Sequence, residues 1–177
     1  MTALAPRLLS IFKLGLLIVA AVAIQTALIS RLRILGVTAD VFLILVVLVG
    51  VSRGAVTGMV FGFVAGLTAD IVFLDPVGLR TLVYLAAGFA VGRYVEEFGL
   101  ASAWVIVLVT AVVSLASQTI YGLFQFATGP EGALFAMMRS QMLPAAVFDG
   151  LLAAPLYLGL VRLRVLPPPG ASEPSFR

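Results

Sequence analysis

Apolar residues run in six long stretches that do not alternate, and charges or turn residues cut the chain between them. The first runs from about Ser10 to Ile29 and stops at Arg31 and Arg33. The second, about Val41 to Val51, stops at Arg53, and the third, about Gly54 to Leu74, stops at Asp75-Pro76. The fourth, about Leu79 to Tyr94, ends among Arg93, Glu96 and Glu97. The fifth, about Ala101 to Ala127, stops at Thr128-Gly129-Pro130, and the sixth covers about Ala145 to Leu163. A membrane helix needs roughly 20 apolar residues, whereas a barrel strand needs about ten in alternation. The pattern therefore predicts an all-α fold, a polytopic membrane helix bundle of about six transmembrane helices. The second stretch is short for a full crossing. Proline in Pro167-Pro168-Pro169-Gly170 blocks a further helix. Residues 1–166 are thus expected to form one membrane domain and residues 167–177 a disordered cytoplasmic tail.

Composition strengthens the membrane reading. Of 177 residues, 62% are hydrophobic and 11% charged, with a mean hydropathy of +1.20. Soluble domains are about 45–50% apolar and about 25% charged. Cysteine and histidine are both absent. Disulfides, thiolate and imidazole catalysis and the usual zinc ligands go with them, so no cofactor is expected. The net charge is +3, and the basic residues are scattered over helix ends, which gives nucleic-acid binding no support.

Positive charge also sets orientation. With the N-terminus inside, Arg7, Lys13, Arg53, Arg93, Arg162, Arg164 and Arg177 are cytoplasmic, while Arg31, Arg33, Arg80 and Arg139 lie outside. Seven against four favours both termini in the cytoplasm. Arg7, Lys13 and the Ala21-Val22-Ala23 triplet mimic a cleavable signal, but the apolar run continues to Ile29, as in an uncleaved signal anchor.

Three groups of residues interrupt the apolar background. Gly54, Gly58, Gly62 and Gly66 recur every four residues, and Asp70 follows at the same interval. Each four-residue step turns a helix about 40° beyond a full turn, so this stripe is a path for close, oblique helix packing. Gly88 and Gly92 on the fourth stretch repeat the spacing and offer a facing surface, and packing within the chain is expected ahead of a helix from another chain. The second group is a polar seam, Thr110, Ser114, Gln118, Tyr121 and Gln125, on one face of the fifth helix. Such groups turn inward and bond across helices at about 0.6 kcal/mol each on average, or line a cavity or docking seam. The third group is charged: Asp40, Asp70, Asp75, Arg80 and Asp149 at or within membrane depth. A charge left alone there is costly, so pairing of Asp70 or Asp75 with Arg80 is expected. No nucleophile, histidine or metal ligand accompanies the carboxylates, and an enzyme is not expected. Arg139, Gln141, Pro144 and Asp149, with Met137, Met138 and Met142 nearby, fit either a short surface-lying segment or a plain loop.

The stretch from Asp40 to Arg93 resembles the bacterial rod shape-determining MreD family. The matching residues are Asp40, Arg53, Gly58, Gly62, Phe63, Gly66, Leu67, Asp70, Gly78, Leu79, Tyr84 and Gly88; Ala39 stands where the family more often has proline. The resemblance implies a non-catalytic scaffold of the cell-elongation machinery in the bacterial cytoplasmic (inner) membrane. Its implied partners are MreC and, directly or through it, the actin-like MreB, RodA and a class B penicillin-binding protein. The family also looks like the substrate-binding subunits of energy-coupling-factor vitamin transporters, which supplies the alternative function. Ala23 and Ala27 give the alanine spacing that class uses for coupling, whereas the only tryptophan, Trp104, lies far from where a vitamin site would sit.

Overall fold

The computed structural model describes residues 4–31, 39–73, 78–99, 103–128 and 142–166. They form six helices: α1 Leu4–Arg31, α2 Val41–Arg53, α3 Ala55–Phe73, α4 Leu79–Phe98, α5 Ala103–Thr128 and α6 Leu143–Arg162. No strand occurs among the described residues. Three of the helices, within α3, α5 and α6, are long and apolar enough to cross a membrane; α1 and α2 carry shorter apolar segments, Phe12–Thr26 and Val41–Arg53. Asp75, Arg139, Gln141, Met137, Met138 and the tail from Pro167 lie outside the described residues.

The short second helix is the centre of the bundle. At 13 residues α2 rises about 20 Å, less than the ~30 Å hydrocarbon core. It is apolar all round because it is buried all round: every residue from Val41 to Val51 is covered. The other five helices all pack against it. α3 and α4 form one close antiparallel pair and α5 and α6 another, while α1 lies against α2 and α3. Large apolar side chains such as Phe12, Leu82, Phe98, Trp104 and Leu108 point outward, as expected where lipid is the solvent.

Helix ends are closed mostly by other helices. Gly54 alone links α2 to α3, and its φ of 85° lies where side chains are disfavoured. Neither Gly54 nor Gly78, which precedes α4, can cap the helix that follows, for lack of a side chain. Each cap comes from the partner instead. Glu96 of α4 accepts the Ala55 N–H at 2.8 Å, and Asp70 of α3 accepts the first N–H groups of α4. The α3–α4 pair thus closes both of its N-termini reciprocally with carboxylates, the sign the helix dipole favours.

At the C-terminus of α6 the logic is reversed. The Leu163–Leu166 turn folds back, Val165 and Leu166 donating to the Leu160 carbonyl. Lys13 Nζ then donates to the Arg164 carbonyl at 2.7 Å, and Arg53 Nη2 to the Val165 carbonyl at 3.2 Å. Cations suit this helix end. Arg164 holds a φ of 55°, the position where such turns ordinarily carry glycine. Arg164→Gly is expected to stabilise the protein by about 1 kcal/mol by removing that strain. Chemical denaturation in detergent checks it, and an unchanged midpoint counts against strain at this turn.

Candidate functional site: a glycine seam ending in a buried polar cluster

The glycine ladder faces α4 of the same chain. A Cβ built at Gly62 would fall on the Tyr84 carbonyl, and one at Gly66 on Thr81 Cα, 2.5 Å away. One at Gly58 would stand 2.5 Å from the Gly88 carbonyl oxygen, and one at Gly92 would meet Ala55. The contact therefore descends α3 as it ascends α4, backbone on backbone. Gly50 of α2 joins it: a Cβ there would stand 2.9 Å from the Gly88 oxygen, and Gly50 Cα itself lies 2.8 Å from a Cβ at Gly58. Three helices converge on Gly50, Gly58 and Gly88. Gly50 stands four residues before Gly54, in the same register, but Arg53 cuts the stretch between them and the sequence reading began the ladder at Gly54.

At the Asp70 end the seam opens into a polar cluster. Asp70 is fully buried and accepts four hydrogen bonds: from the Gly78, Arg80 and Thr81 N–H groups at 2.8, 3.2 and 3.2 Å, and from Thr81 Oγ1 at 2.7 Å. Arg80 does meet Asp70, but with its backbone N–H. Its guanidinium lies 3.6 Å from Asp40 Oδ2. The same guanidinium stands 5.2 Å from the Phe73 ring centroid and 5.3 Å from that of Tyr121, a double cation–π contact. Asp75 is outside the described residues.

Asp40 is the hub. It caps α2 through the Leu43 N–H at 3.1 Å and accepts the Tyr84 hydroxyl at 2.5 Å. Its own N–H donates to Asp149 Oδ1 at 2.9 Å. Asp149, buried in α6, accepts the Ser114 hydroxyl on its other oxygen at 2.5 Å, and Gln118 donates to that Ser114 oxygen at 3.1 Å. One connected network thus ties α2, α4, α5 and α6 together. Gln25 of α1 was missed by sequence reasoning. It donates to the Ala39 carbonyl at 2.8 Å and accepts the Val41 N–H at 2.9 Å, fastening α1 to the start of α2. The available signal was a lone amide in an apolar run, with no periodicity to mark it.

The polar seam of α5 divides. Ser114, Gln118 and Tyr121 face the cluster, whereas Thr110 turns back onto the Ile106 carbonyl of its own helix at 2.8 Å. The Tyr121 hydroxyl is buried with no hydrogen-bond partner among the described residues. Gln125 lies on α5, its side chain outside the described ones. Pro144, expected in a loop or surface segment, is absorbed into the first turn of α6, where a missing N–H costs nothing. Met142 beside it is buried, and a Cβ at Gly122 would collide with its methyl group.

Chemically, the arrangement is a set of acceptors filled by donors from the same chain. Among the described residues no group of acids is placed to hold a metal ion. A family model, rod shape-determining protein MreD, matches residues 6–164. No curated protein and no solved structure matches the chain. The likeness to energy-coupling-factor subunits therefore stands on the sequence resemblance alone. The match covers α2 to α6 and nearly all of α1, and the chain belongs to the MreD family.

Proposed function

We propose that this member of the MreD family is a non-catalytic membrane scaffold of the bacterial cell-elongation machinery. In this reading it holds the transmembrane segment of MreC and, directly or through it, couples MreB, RodA and a class B penicillin-binding protein to cell shape. Membership of a shape-determining family supports the general role. The observation that carries the scaffold reading is the use of the acids inside the bundle, Asp70 and Asp149 buried and Asp40 partly so. Asp40, Asp70 and Asp149 each bind two or more helices or helix ends together, so the polar groups serve to fix one arrangement of the bundle. A rigid bundle presenting apolar faces such as that of Phe12, Leu16 and Val19 suits docking of partner helices within the bilayer. The proposed orientation puts the Arg53 end and both termini in the cytoplasm, following the positive-inside rule.

Depletion of the protein is expected to round rod-shaped cells, and purification in mild detergent is expected to recover MreC. Preserved rod shape on depletion, or recovery of a paired ATPase module in place of MreC, overturns the scaffold reading.

A further inference from the structure

The Arg53 end of the bundle is rich in donors and poor in acceptors. Lys13 of α1, Arg53 of α2, and Arg162 and Arg164 at the end of α6 gather there. Lys13 and Arg53 reach only main-chain carbonyls, those of Arg164 and Val165, and none of the four meets a carboxylate among the described residues. The acids of α4 at this end are otherwise engaged: Glu97 pairs with Arg93 at 2.9 Å, and Glu96 caps α3. Beneath the cations lie three buried polar atoms with no hydrogen-bond partner among the described residues, Arg53 Nε, Ser52 Oγ and Tyr157 OH. Ser52 and Tyr157 are neighbours without hydrogen-bond geometry between them. Tyr157 is only 4% exposed, so water at the surface does not serve it. A buried donor without an acceptor is costly, and here three such groups lie close together.

We propose that this end binds the phosphate of an anionic lipid headgroup between the ends of α1, α2 and α6. Phosphate oxygens are the acceptors the site lacks, and basic pockets between membrane helices bind such headgroups. The Arg164 and Val165 carbonyls now hold the cations that the phosphate would take, so the Leu163–Leu166 turn yields as the headgroup enters. Arg53, Lys13, Arg162 and Arg164 supply charge, and the Ser52 and Tyr157 hydroxyls supply directed donors. The inference concerns a lipid ligand and stands apart from the identity of any protein partner.

Native mass spectrometry of the full chain in detergent tests this, titrating in phosphatidylglycerol or phosphatidylcholine. Wild type is expected to retain phosphatidylglycerol preferentially. Arg164→Gln should weaken that retention about fivefold, in line with about 1 kcal/mol per basic residue. Tyr157→Phe keeps shape and charge and should weaken it about tenfold by removing a hydrogen bond to a charged group. Variants are compared at equal thermal stability, and Tyr157→Phe serves if an arginine variant fails to fold. Equal retention of both lipids overturns the site. So does unchanged retention in Tyr157→Phe, which would leave diffuse charge attraction and a bridging water as the explanation.

Discussion

Replacing Gly62 with leucine is expected to abolish the folded protein. The first atom added, Cβ, already falls on the Tyr84 carbonyl and lies 3.1 Å from Leu85 Cα. All of these are backbone atoms, so no rotamer change relieves the clash. The helices must separate, and separation strips contact from Gly58 and Gly88 above and moves Thr81 away from Asp70 below. Overpacking a well-filled core costs typically about 1–3 kcal/mol, and a backbone-on-backbone seam belongs at or beyond the upper end. The measurement is the yield of monodisperse protein in detergent. Gly62→Ala should fall between wild type and leucine. Gly15→Leu is the control, because a Cβ at Gly15 meets nothing within 4 Å. Wild-type yield from Gly62→Leu would mean that the seam is looser than its geometry, and equal loss from Gly15→Leu would mean that the bundle tolerates no bulk anywhere.

The helices were legible in the sequence because lipid imposes a simple rule, that backbone polar groups be satisfied within each segment. Arg53 before Gly54, and Gly78 before Leu79, were enough to place two boundaries to within a residue or two. The ladder was legible for the same reason, since glycine at a constant interval has few uses other than close packing. The contact between Arg80 and Asp40 was not legible. Asp70 and Arg80 stand ten residues apart across a turn, which suggested an ion pair. The chain places Arg80 in the first turn of α4, where its N–H needs an acceptor more than its guanidinium does. The guanidinium then finds Asp40, a partner forty residues upstream that no local pattern announces. Asp149 shows the same limit. Its hydrogen bond from the Asp40 N–H spans 109 residues, and it exists because α2 sits centrally, a fact its short length concealed.

Asp70 separates a structural from a proton-carrying role. Asp70→Ala leaves three N–H groups and one hydroxyl without their acceptor at the buried start of α4. Gly78 offers no side chain to replace it. Loss of a cap alone costs up to about 2 kcal/mol. Each buried donor left unsatisfied adds about 1–3 kcal/mol. A total of about 3 kcal/mol or more is expected, enough to remove most of the protein from the membrane. Asp70→Asn is the informative variant. Its amide oxygen can take the place of Oδ2, which serves the Gly78 N–H, the Thr81 N–H and the Thr81 hydroxyl. Its NH2 group then faces the Arg80 N–H and forfeits that bond alone. Abundance should fall only partly, with rod shape restored in proportion to the protein that remains. A carboxylate that carries protons gives another result, because asparagine holds none: full abundance with no restoration of shape. That outcome would move Asp70 from the frame of the bundle to its working parts.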